Sequence, residues 1–208
     1  MEGVTVDKGE RGLAALLGRA IALDEGALAR VQERDDEAID VFVTTPFDCI
    51  ASRRAVGTVS RNGAVVGARG LLTALTEGNE EVGPARDAFW PGALPPAAGF
   101  VERDVVPVSV ARSLADDGRN LARQFSGPAG PPRSLLDSVV LTADADSVAP
   151  VEIPMRMIFT CTALGLIPGF EAPAEVPRHL RVATAGRWVR LDAPFGSVYR
   201  SSGLLITM

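Results

Sequence analysis

Within five residues the segment Arg86-Asp87-Ala88-Phe89-Trp90 sets a cation, an anion and an indole in a stretch rich in Pro and Gly. An Arg beside aromatic faces can hold a planar or anionic ligand by charge, cation–π attraction and apolar area. The competing reading is structural: Phe89 and Trp90 pin a loop to the core, with Arg86 and Asp87 at its edge. A second segment, Arg123-Gln124-Phe125-Ser126-Gly127-Pro128-Ala129-Gly130-Pro131-Pro132-Arg133, carries an arginine on each side of a stiff turn. Two guanidinium groups there could grip one anion. The same turn also reads as a rigid connector whose prolines restrict the unfolded chain. The candidate ligand-binding residues are therefore Arg86, Asp87, Trp90, Arg123, Ser126 and Arg133.

Other chemistries find less support. The chain has one histidine, His179, and two isolated cysteines, Cys49 and Cys161, with neither C-x-x-C nor H-E-x-x-H. Asp144 and Asp146 could approach a magnesium ion, but Asp-x-Asp beside Ala and Ser reads first as a turn. The expectation is no metal and no cofactor. Phosphate-cradling glycine motifs are missing, including around Asn62-Gly63 and Gly67. No G-x-S-x-G occurs, Ser60 and Ser126 lack a neighbouring base, and the cysteines sit in apolar runs that disfavour the thiolate. No catalytic residue is assigned.

Nucleic acid offers one sharper alternative. A helix over 155–167 followed by a hairpin bearing Arg181, Arg187 and Arg190 has the order of a winged helix, so 134–200 could reach DNA phosphates. A recognition helix, however, needs a polar exposed face, and Arg156 to Leu166 is apolar nearly all round.

The totals set bounds on all of this. The chain's 208 residues are 47% hydrophobic with a net charge of -5, which argues against a whole-chain role in coating DNA or an anionic membrane. Lys8 is the only Lys among the 21 cations. Arginine grips oxyanions better than lysine does, but a GC-rich genome would also enrich it. The polar start of the chain does not read as a secretory signal, and Ile158 to Phe170 is too short and broken to span a bilayer. A cytoplasmic protein with two reduced thiols is expected.

The elements that would position these residues follow from periodicity. Residues 1–11 read as a flexible N-terminus and 12–208 as a single domain, with 134–208 as a candidate subdomain. Leu13, Leu16, Leu17, Ala20 and Ile21 share a helical face, and Asp24 would cap a second short helix carrying Leu28 and Val31. Ile39, Val41 and Val43 alternate as a strand, and 47–52 follows as another. Asn62-Gly63 between apolar runs predicts a hairpin of 56–60 with 64–67. Helices are predicted over 68–75, 108–125 and 155–167, with Gly118 threatening to split the second. Residues 134–141 are ambiguous between helix and strand. A second hairpin joins 180–184 to 188–191, and 197–200 adds a strand. The fold class is α+β, a mostly antiparallel sheet with helices packed on it.

Four phrases carry a resemblance: Arg86-Asp87-Ala88-Phe89-Trp90-Pro91-Gly92-Ala93-Leu94-Pro95-Pro96, Arg123-Gln124-Phe125-Ser126-Gly127, Ile153-Pro154-Met155-Arg156-Met157-Ile158-Phe159 and Gly186-Arg187-Trp188-Val189-Arg190-Leu191-Asp192. With them the chain resembles an uncharacterised family of actinobacterial proteins of similar length. The resemblance implies no activity, so no site residue is carried over from it. The residues favour a small cytosolic binding or interaction protein without conventional catalytic machinery, acting through a homodimer contact or a protein partner. The alternatives are an enzyme acting on an anionic small molecule through the 86–90 and 123–133 loops, and the nucleic-acid binder through 134–200.

Overall fold

The computed structural model describes residues 1–35, 37–125, 131–143, 149–169 and 171–201. It divides into two compact units, Met1–Ala93 and Leu94–Met208. Both combine antiparallel sheet with helices, giving the α+β class.

In the first unit the order is β1 (Glu2–Lys8), α1 (Glu10–Leu23), β2 (Leu28–Glu33), β3 (Ala38–Thr44), β4 (Ile50–Val59), β5 (Val65–Gly67), α2 (Ala68–Glu77) and β6 (Glu81–Gly83), then a 3-10 turn at Asp87–Phe89. The strands pair antiparallel in the spatial order β5-β2-β3-β4-β1-β6. Helix α1 buries Leu13, Leu16, Leu17, Ala20 and Ile21, the face its period sets. Strand β3 is buried on both faces: Ile39, Val41 and Val43 on one, Asp40 and Phe42 on the other. The Asp40 carboxylate is held there by Arg34 at 2.6 Å and Arg54 at 2.8 Å. Burial alone would raise its pKa. Hydrogen bonds from Arg54 and Arg34, and then their charges, outweigh burial and hold it below the usual carboxylate value.

Three local expectations differ from the structure. Residues 2–8, read as frayed, form β1, because β4 on one side and β6 on the other supply partners that local sequence does not reveal. Leu28 to Val31 form a strand rather than a helix. Asp24 accepts the Gly26 amide in a tight turn, and β2 then pairs with β3 and β5. The Asn62-Gly63 turn exists, with Gly63 at φ 81°, but it does not close a hairpin. Strand β5 crosses to β2, and Gly63 N–H donates to the Val31 carbonyl at 2.8 Å.

The second unit runs β7 (Val101–Pro107), α3 (Val108–Phe125), α4 (Arg133–Leu136), β8 (Val139–Ala143), β9 (Val151–Pro154), α5 (Met155–Ala163), β10 (His179–Ala185), β11 (Trp188–Ala193) and β12 (Gly196–Ser201). An antiparallel sheet takes the order β7-β10-β11-β12, and β8 pairs with β9. The hairpin across Gly186 forms as its sequence predicts, and 101–107, read as part of a long loop, is the strand beside β10. Helix α5 is the core element, with Met155 to Cys161 all buried. Gly118 does not break α3. It is where α5 approaches, since a Cβ there would sit 2.8 Å from Met155 and from Phe159.

Candidate functional site

In the first unit the 86–90 turn is a braced structure. The Arg86 amide donates to the Val65 carbonyl of β5 at 2.7 Å, and the Phe89 and Trp90 amides close the 3-10 turn onto the Arg86 and Asp87 carbonyls. Asp87 pairs with Arg61 at 2.7 Å, and the hydrogen bond from Arg61 lowers its pKa. Arg61 also pairs with Glu2 at 2.8 Å, and Glu2 accepts from the Ser60 hydroxyl at 3.0 Å. Trp90 is buried, and the Arg30 guanidinium lies 5.8 Å from its ring centroid. Its indole Nε1 meets no acceptor among the described residues, so packing and the Arg30 cation hold it in place.

Phe89 behaves differently from its neighbour. Rather than pinning the loop, it is 73% exposed. The bracing falls to Arg61, Glu2 and Arg30, which sequence reading did not select. Their charge types gave no signal, because Glu2 and Arg61 are brought together only by the pairing of β1 with β4.

Beside the turn a cleft of about 600 Å³ runs along α2, lined by Gly67, Arg69, Gly70, Thr73, Ala74, Glu77, Val82 and Arg86 among others. Gly70 shapes it, because a Cβ there would meet the Val82 carbonyl at 2.5 Å and push β6 off the helix.

The remaining candidates lie in the second unit or outside the described residues. Arg123 lies in the last turn of α3 and Arg133 begins α4, both exposed. Ser126, Asp144 and Asp146 lie outside the described residues. Arg181 and Arg187 are exposed, but Arg190 is committed: it pairs with Asp192 at 2.8 Å and stacks 4.1 Å from the Phe100 ring centroid. Arg181 and Arg190 lie on the same face of the hairpin, but the Arg190 guanidinium is already engaged there. Helix α5 cannot serve as a recognition helix, because even Arg156 is buried against Asp137. Burial pushes the Cys161 thiol up to about 12, which removes it as a nucleophile at neutral pH. Among the described residues no cluster of three or more His, Cys, Asp or Glu could hold a metal ion, and no helix is long and apolar enough to cross a membrane.

No curated protein matches the chain. Solved structures do. The DNA polymerase sliding clamp from Caulobacter crescentus is 11% identical, with a TM-score of 0.56 over 100% of this chain and 67% of that one. The sliding clamp of Pseudomonas aeruginosa bound to griselimycin, DNA polymerase III subunit beta, is 12% identical, with a TM-score of 0.55 over 100% and 66%. That of Bartonella birtlesii, also bound to griselimycin, is 13% identical, with a TM-score of 0.54 over 100% and 66%. The chain thus spans about two thirds of the length of these clamps, and at such identity the likeness is one of fold. Residues 4–92 match a domain of unknown function, DUF8010, and residues 95–205 match another, DUF8185, so the two matches follow the two structural units. The chain belongs to the family described as domain of unknown function DUF8185.

Proposed function

We propose that the chain is a binding protein that docks a protein partner through the Phe89 turn of its first unit. The carrying observation is Phe89 itself, a large aromatic 73% exposed on a turn held by an ion-pair chain and a buried indole. A rigidly mounted aromatic presents apolar area with little ordering entropy left to lose, the property of an interface anchor. The named neighbours are clamps and subunits of a polymerase, which supports an assembly role. The test is quantitative enrichment of partners from the native host on wild type and on Phe89→Ala, with circular dichroism to show both folded. A partner retained by wild type and lost by the variant is expected. Identical enrichment on both would remove the proposal.

The clamp-like fold also favours a DNA-associated reading, but the surface charge does not favour gripping DNA. The exposed face of α3 carries Asp116 and Asp117 beside Arg119 and Arg123, so the phosphates would meet both signs. A labelled DNA duplex provides the counter-test. Tight binding that falls steeply with salt and is lost on reversing Arg181 and Arg187 would replace the protein-partner reading.

A further inference from the structure

We infer that the cleft along α2 binds an extended peptide segment of the partner carrying an acidic and a basic side chain four residues apart. The inference rests on the reading of the first unit as a protein-binding module and adds the partner's chemistry.

The observation is a helix charged against its own dipole. The peptide dipoles make a helix N-terminus positive and its C-terminus negative, so acids stabilise the first turn and bases the last. Helix α2 has no acid in its first turn and no base in its last. Instead Arg69 stands in the first turn and Glu77 is the last residue.

The N-terminal end is reinforced by a second cation. At the N-terminus the Arg86 guanidinium lies 3.7 Å from where a Cβ on Gly67, the N-cap residue, would sit. Glu81, in the strand β6 that runs back along the helix, also lines the cleft. Among the described residues Arg86, Glu77 and Glu81 make no ion pair, and Arg69 has only Glu25 at 4.0 Å, both side chains being mostly exposed. All of these side chains line the one cleft. The result is a groove with Arg69 and Arg86 at the start of α2 and Glu77 at its end, with Glu25 on the wall beside Arg69, floored by a helix whose dipole adds to the potentials of Arg69 and Glu77.

The spacing selects the occupant. Arg69 and Glu77 are eight residues apart on α2, about 12 Å along its axis. In an extended chain residues i and i+4 point to the same face and lie about 13–14 Å apart. An acid and a base at that spacing reach the two ends together. The intervening residues lie along Thr73, the small exposed residue midway between Arg69 and Glu77 on the helix.

The test uses the full chain and synthetic peptides in titration calorimetry. The probe is acetyl-Glu-Thr-Val-Thr-Lys-amide, compared with versions carrying Glu at both ends, Lys at both ends, or Glu and Lys only two residues apart. The mixed-charge peptide is expected to bind, with the three controls at least about tenfold weaker. Arg69→Gln and Glu77→Gln should each weaken binding by about tenfold, yet raise the free protein's melting temperature by roughly 1–3 °C as the dipole conflict is relieved. A groove charge of purely structural use would not give opposite signs in these two readouts. Equal affinity for all four peptides, no binding at roughly 1 mM, or variants that melt lower than wild type would overturn the inference. If the peptides fail while enrichment still depends on Phe89, the cleft assignment falls and the docking turn stands. If both fail, both are removed.

Discussion

Two glycines should respond in opposite directions to the same substitution. Gly18 lies inside α1, and a Cβ there would meet only Leu72 Cδ2 at 4.0 Å. Alanine removes the helix penalty of glycine with no steric conflict, so Gly18→Ala should gain about 0.5–1 kcal/mol. Gly57 lies in β4 opposite Val6 of β1, with its amide donating to the Glu37 carbonyl at 2.8 Å. A Cβ there would collide with the Thr5 carbonyl oxygen and come within 3.1 Å of Val6 Cα. Both obstacles are backbone, so the strand itself must move, and Gly57→Ala should lose about 1–3 kcal/mol as overpacking does. Trp90 and Trp188 are the only tryptophans, so a Trp188→Phe background leaves Trp90 reporting on the first unit. With a urea slope of about 1 kcal/mol/M for a small domain, the midpoint should rise by about 0.5–1 M for Gly18→Ala and fall by about 1–3 M for Gly57→Ala. Midpoint shifts of the same sign would refute the claim that the neighbouring backbone decides the effect. Gly57→Ala should also disturb the Phe89 turn, since β1 carries the Glu2 that holds Arg61.

Asp40 makes the first unit acid-sensitive. Its folded pKa is depressed, so its contribution is complete above the unfolded value of about 3.9 and disappears as pH falls through the lower folded value. Asp40→Asn should therefore lose about 1.5–3 kcal/mol at pH 7, and the gap to wild type should close below about pH 4, as read by urea titrations across pH. Cys161 should resist a thiol reagent in the native protein at pH 8 and react only after denaturation, because its thiol is fully buried and pushed up to about 12. Fast labelling of Cys161 without unfolding would contradict that burial. Phe89→Ala should leave the stability read by urea titration within about 0.5 kcal/mol of wild type, since the ring is mostly exposed.

Local pattern sufficed wherever an element is held by its own period. The buried stripe of α1, the alternation of β3 and the hairpin across Gly186 could all be read from neighbours within a few residues. It failed where a distant strand decides. The residues of β2 have no strong local preference and became strand because β3 and β5 flank them. Propensity alone makes Gly118 a threat to α3, whereas packing against Met155 and Phe159 makes it the contact point of two helices. The candidate site divides in the same way. Arg86, Asp87 and Trp90 were legible as chemistry gathered within five residues, but the reversed charges of α2 acquired meaning only once β6 and the 86–90 turn closed a cleft over them.

Sequence by itself determined the fold class, the α1 and α3 helices, the positive-φ turn at Gly63 and the two chemically rich loops, because each depends on side-chain period or on the conformations one residue permits. Tertiary structure alone decided that Phe89 faces solvent while Trp90 is buried, that Arg61 rather than a neighbour pairs with Asp87, and that Arg190 stacks on Phe100. Those outcomes depend on strand pairings between residues far apart in the chain, where the loss of chain entropy is set against contacts that no local window contains.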